Sequence, residues 1–132
     1  MSVVVDASVL VAALVDSGAS GQWAEAILAS GTLVAPELAR AEAANVLRRL
    51  ERDRQIGTPE ANGAYDDLPQ LGVEWFSFEP FAARIWQLRK HVSCHDAWYG
   101  ALAEALELPL ATMDARLARA SGPTCKFLTP PS

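Results

Sequence analysis

The chain of 132 residues has no apolar run approaching the roughly 20 residues that a membrane-spanning helix needs, so no membrane role is expected. It has only two cysteines, Cys94 and Cys125. Their number and spacing make neither a zinc site nor a disulfide scaffold, and two thiols in an ordinary composition suit a reducing cytosol. A single bridge between them stays open, although a core of this size does not need it. Basic residues are in deficit: 11 Lys and Arg against 16 Asp and Glu give a net charge of −5. That balance excludes simple coating of nucleic acid by a broadly basic surface. The apolar start, MSVVVDASVLVAALV, lacks the positive leading segment of a secretory signal, and Asp6 breaks it early. No repeat, low-complexity tract or linker is visible.

What is present is the composition of a folded domain. Hydrophobic residues make up 51% and charged residues 20%, enough to bury a core without staples. Short apolar runs alternate with helical patterns. Strands are expected at Ser2–Val5, 32–35, 73–77, 110–112 and 126–128. Helices are expected at 7–14, 21–29, 37–54, 58–68, 79–91, Cys94–Leu106 and 114–120. The longest, 37–54, carries its apolar stripe on Ala39, Ala43, Val46, Leu47 and Leu50. The sequence thus predicts one α/β domain over 1–132, with a mostly parallel sheet, an ordered core of about 2–128, and a short flexible tail, TPPS.

Parallel sheets bind ligands outside the carboxyl ends of their strands. Asp6 directly follows the first strand, and Asp114 follows the fourth within two residues. Each acid also has a structural explanation. Asp6 and Asp114 suit the N-caps of the helices they precede. Ser93-Cys94-His95-Asp96 has capping-box spacing, with the Asp96 carboxylate reaching back to the Ser93 amide. Glu42 sits among Ala41, Ala43 and Ala44, where it faces either solvent or an approaching ligand. Two carboxylates about 4 Å apart repel by roughly 4 kcal/mol at an effective dielectric near 20. A fold that gathers several needs a cation, and Mg²⁺ or Mn²⁺ prefers such oxygen donors. Arg40, Arg48, Arg49, Arg52 and Arg54 are five of the eleven basic residues. Their plain reading is a solvated helix face paired with Glu51 and Asp53.

The segments VVVDASVLVAAL, PELARAEAANVLRRL and SCHDAWYGALAEALELPLATMDARL resemble a PIN domain. They are most similar to the VapC-type ribonuclease toxins of toxin–antitoxin pairs, and the order of the blocks holds from Val3 to about Leu128. The resemblance implies a three-layer fold, a central parallel sheet flanked by helices with acids at its carboxyl edge. It implies endoribonucleolytic cleavage with Mg²⁺, or alternatively Mn²⁺, leaving 5′-phosphate and 3′-hydroxyl ends. It joins Asp6, Glu42, Asp96 and Asp114 into one catalytic set. Asp6, Asp96 and Asp114 would hold metal, and Glu42 would either ligate it or orient the attacking water. Ser8, Asn45 and Thr112 would surround and position these groups. Arg40, Arg48, Arg49, Arg116 and Arg119 would meet RNA phosphates. Some relatives carry a further acid after the fourth, where this chain has Ala115 and Arg116, so a second metal is conditional on substrate.

The resemblance also implies a homodimer, a cytoplasmic location and a VapB-type antitoxin partner that can place a basic side chain among the acids. Trp23, Trp75, Trp86 and Trp98 are candidates for such interfaces, with core packing expected for at least two. His91 and His95 fall outside the expected catalytic set. A receiver domain would need paired acids after the first strand, and a haloacid-dehalogenase-type phosphatase would need D-x-D there. Here the first strand ends in a single acid, the third in Phe76-Ser77, and Lys126 precedes Phe127, which disfavours the receiver; position 8 is serine, which disfavours the phosphatase. The remaining alternative is a silent PIN module that binds RNA or an antitoxin without cleavage.

Overall fold

In the computed structural model, which describes residues 1–131, β1 (Ser2–Val5) is the middle strand of a five-stranded sheet. β2 (Thr32–Pro36) and β3 (Glu74–Phe76) extend it on one side. β4 (Leu110–Ala111) and β5 (Phe127–Leu128) extend it on the other. Every pairing is parallel. Val3, Val4 and Val5 are fully buried. A parallel strand covered on both faces reads as an unbroken apolar run rather than an alternation, and VVV is such a run.

Between β1 and β3 the chain forms α1 (Ala7–Val15), α2 (Ala19–Leu28), α3 (Leu38–Arg52) and α4 (Thr58–Asp67), with α1 packed against the other three. Between β3 and β4 it forms α5 (Ala82–Gln87) and α6 (Cys94–Leu106), which pack together, and α6 also meets β1, β2 and β4. The path steps from β1 to β3 in one direction and returns to β4 in the other. Right-handed crossovers therefore put the two helix groups on opposite faces of the sheet. α7 (Ala115–Ala118) links β4 to β5. The α/β class and the flanked parallel sheet agree with the sequence reading. The winding direction reverses between β1 and β4, and the crevice at that reversal is where such sheets bind ligands.

The differences are local. The helix expected over 79–91 is split into a 3-10 turn (Glu79–Phe81), α5, and a second 3-10 turn (Leu88–Lys90). Pro80 has no amide to donate, which suits a tight first turn rather than a helix interior. The helix expected from residue 21 begins at Ala19 after the Gly18 N-cap, where Asp16 Oδ1 accepts the Gly18 N–H at 2.7 Å. Gly21 is required there, because a Cβ would lie 1.8 Å from the Asp16 carbonyl oxygen. Residues 129–131 carry no regular secondary structure. The last residue of the expected flexible tail, Ser132, lies outside the described residues. No described helix is long and apolar enough to cross a membrane.

Candidate active site

Asp6 sits where β1 ends and α1 begins, in extended conformation. Its Oδ1 accepts the Val9 N–H at 3.1 Å, so it caps α1 as expected. Capping does not exhaust its contacts. The Ser8 hydroxyl donates to Oδ1 at 2.5 Å, and the Thr112 hydroxyl donates to Oδ2. The same hydroxyls accept from the neighbouring strand end: Ser8 Oγ from the Met113 N–H at 3.2 Å, and Thr112 Oγ1 from the Asp114 N–H at 2.9 Å. Two hydroxyls thereby tie the end of β1 to the end of β4 around a buried carboxylate. Burial pushes Asp6 above the ordinary carboxyl range, the hydrogen bonds from Ser8, Thr112 and Val9 pull it back, and Glu42 pushes it up again. The net direction is upward.

Glu42 projects from α3 and accepts a 2.5 Å hydrogen bond at Oε1 from the Tyr99 hydroxyl of α6. Asp96 lies in the first turn of α6. The expected capping box forms only by half. Ser93 Oγ accepts the Asp96 N–H at 3.1 Å, and no bond from the Ser93 amide to the Asp96 carboxylate is present among the described residues. Asp96 lines the cleft together with Asp114, with its carboxylate still near the Ser93 hydroxyl, which pulls its pKa down. Burial raises Asp96, and the charge of Asp114 raises it further. Asp114 caps α7 through Oδ1, which accepts from the Arg116 and Leu117 amides at 2.9 and 3.3 Å.

All four acids line one cleft of about 440 Å³, together with Ser8, Asn45, Arg49, His95 and Tyr99. Among the described residues, ion pairs join Arg40 to Glu37, Arg52 to Asp53 and Arg84 to Glu104. None of the four acids is in an ion pair. Among the described residues, no three His, Cys, Asp or Glu side chains already enclose a common point as metal ligands. The donor set still fits a hard divalent ion: it is all carboxylate oxygen, and among the described residues no ion pair engages it. Mg²⁺ keeps several waters and needs only one or two direct carboxylates, so a loose cluster suits it better than a closed cage.

A family model described as the PIN domain matches residues 3–123. The chain belongs to the PIN-domain family. It is 40% identical over 125 residues to ribonuclease VapC1 of Mycobacterium tuberculosis H37Rv, covering 94% of each chain. It is 35% identical over 129 residues to ribonuclease VapC9 of the same strain, covering 98% of each. Its fold is similar to that of VapBC2 from Rickettsia felis, solved bound to a DNA fragment from their promoter. There the TM-score is 0.66 at 14% identity, over 99% of this chain and 100% of that one.

In this PIN domain the arginines expected to meet RNA divide into two groups. Arg49 lines the cleft, and Arg116 lines a hollow of about 250 Å³ that shares Asp96 and Asp114 with it. Arg40 points elsewhere: it pairs with Glu37 at 3.1 Å and lies 5.4 Å from the Trp75 ring centroid. Arg48 and Arg119 are exposed and line neither. Periodicity on α3 carries this division, because Glu42, Asn45 and Arg49 follow i, i+3, i+7 while Arg40 and Arg48 fall off that stripe. Of the expected partners of the basic helix, Asp53 pairs with Arg52, and Glu51 is in no ion pair among the described residues. His91 lines the hollow and His95 the cleft. Tyr99 escaped the sequence reading, although it lies one turn after Asp96 on α6. Trp23, Trp75 and Trp98 are partly buried against the core, and Trp86 is 62% exposed beneath the Arg89 guanidinium.

Proposed function

We propose that this PIN domain is a divalent-metal-dependent endoribonuclease, the toxin member of a toxin–antitoxin pair. The observation that carries the proposal is the convergence of four unpaired carboxylates, each from a different segment, on the crevice beside β1 and β4. Asp6, Asp96 and Asp114 would hold Mg²⁺, with Mn²⁺ the alternative, and Glu42 would ligate it or orient the attacking water. When bound, such an ion lowers the pKa of a coordinated water and offsets charge on phosphoryl oxygens. Ser8 and Thr112 hold the Asp6 carboxylate in one orientation for that task, and Asn45 lines the same cleft. Arg49, on the cleft, and Arg116, on the adjoining hollow, would contact RNA phosphates.

RNA as substrate is supported by the names of the relatives, which are ribonucleases. A VapB-type antitoxin partner is supported by the likeness to the VapBC2 assembly. We place the protein in the cytoplasm, where the free thiols of Cys94 and Cys125 stay reduced, and expect a homodimer, which sedimentation velocity would test. The deciding experiment incubates purified protein with labelled RNA, Mg²⁺ or Mn²⁺, or chelator, alongside Asp6→Asn, Asp96→Asn and Asp114→Ala. Cleavage is expected only with metal and intact acids. Cleavage that persists through chelation and these substitutions would overturn the mechanism. A wild-type protein that binds an antitoxin yet cleaves no RNA would favour the silent module.

A further inference from the structure

We propose, resting on the metal-dependent reading above, that Tyr99 is a positioning residue that sets metal selectivity by holding the Glu42 carboxylate in one orientation. The Tyr99 hydroxyl donates to Glu42 Oε1 at 2.5 Å, across 57 positions of sequence. Tyr99 is 2% exposed, so its ring is fixed by packing. Glu42 comes from α3 and Tyr99 from α6, helices on opposite faces of the sheet, and the bond closes over the carboxyl edge between them. The bond fixes the orientation of the Glu42 carboxylate through one of its two oxygens.

That restriction has a chemical consequence. Ca²⁺ accepts bidentate carboxylates in flexible, higher-coordinate shells. Mg²⁺ demands near-octahedral geometry and takes carboxylate oxygens one at a time. A glutamate whose orientation is preset by a buried phenol therefore suits the ion with strict geometry, whereas an ion with a flexible shell gains less from it. A tyrosine that merely needed an acceptor for its buried hydroxyl would be satisfied by any carbonyl. Here the acceptor is a carboxylate of the acid cleft itself.

The test is Tyr99→Phe, which removes one oxygen and keeps the ring. Mn²⁺ binding is read by electron paramagnetic resonance, and Ca²⁺ affinity by displacement of Mn²⁺. Mn²⁺ affinity is expected to fall about 10- to 100-fold, the range for partners that orient metal ligands, while Ca²⁺ affinity falls less, so the Mn²⁺/Ca²⁺ preference narrows. In a Glu42→Gln background, Tyr99→Phe is expected to add nothing. Unchanged Mn²⁺ affinity and preference in Tyr99→Phe, or losses that add fully to those of Glu42→Gln, would overturn the proposal. Glu42→Gln alone keeps an acceptor for Tyr99, so unchanged Mn²⁺ affinity in that folded variant would overturn it too. A wild-type protein that binds no Mn²⁺ sinks the metal-dependent reading instead, a distinct result.

Discussion

Thr112→Val removes one oxygen and leaves the side-chain shape intact, at a position with no exposed surface. That oxygen has two tasks. It donates to the buried Asp6 carboxylate and accepts the Asp114 N–H at 2.9 Å. A hydrogen bond to a charged group contributes about 1.5–3 kcal/mol, and a neutral one about 1 kcal/mol. The Asp114 amide lies near the surface, where water replaces part of its loss. The expected cost near neutral pH is therefore about 3 kcal/mol, within the stability of an ordinary domain. At a pH below the ordinary carboxyl range, where Asp6 with its raised pKa is protonated, the charged contribution vanishes and the cost should fall to about 1–2 kcal/mol. Thr112→Ser keeps both hydrogen bonds and loses only a methyl group, about 1 kcal/mol at either pH. Urea unfolding in chelator at the two pH values measures these costs, and calorimetry with Mn²⁺ should show affinity about 10- to 100-fold weaker in the valine variant only. Equal destabilisation of the valine and serine variants near neutral pH, or valine binding metal as the wild type does, would refute the account of Thr112 as the residue that orients Asp6.

Other outcomes follow from the same geometry. The Asp6 pKa is raised on folding, so the folded state holds its proton more tightly than the unfolded chain. Its contribution to stability is complete below the unfolded carboxyl range and is lost as pH rises through the folded value. In chelator, the stability of the wild type relative to Asp6→Asn should fall as pH rises above about 4, and Mg²⁺ should restore it for the wild type alone. A difference that is flat with pH would show that burial does not perturb Asp6. Asp114→Asn keeps an oxygen for the Arg116 and Leu117 amides, whereas Asp114→Ala does not. Both should lose RNA cleavage, but only the alanine variant should lose about 1 kcal/mol of stability in thermal melts.

Much of the fold was legible because its strands are short apolar runs bounded by helical periodicity, as VVV before Asp6 illustrates. Asp6 and Asp114 were legible as acids at strand ends, where a parallel sheet opens its crevice. Glu42 and Asp96 were not separable from solvent-facing or capping residues by local pattern, and only the family resemblance joined them to the set. Tyr99 was invisible for a physical reason: its contact with Glu42 spans two helices on opposite faces of the sheet, and no local window carries such information. The break around α5 was missed because Pro80 and the following apolar residues read as a helix start. Helical spacing could have set Arg49 apart from Arg40 and Arg48, since it shares a face with Glu42 and Asn45.

Capping and catalysis looked like competing explanations for these acids. The hydrogen bonds remove the competition. Asp6 Oδ1 serves the Val9 amide, Asp114 Oδ1 serves the amides of α7, and Glu42 Oε1 serves Tyr99. In each case the fold fixes a carboxylate through one oxygen, and Asp6 is braced at the other by a hydroxyl. Burial, with a further push from Glu42 on Asp6 and from Asp114 on Asp96, raises both acids above their usual range despite those hydrogen bonds, a cost the domain carries unless a cation offsets it. Local rules and the proposed function therefore meet at the carboxyl edge beside β1 and β4, and a mismatch between stability and chemistry is what a site of the proposed kind would leave there.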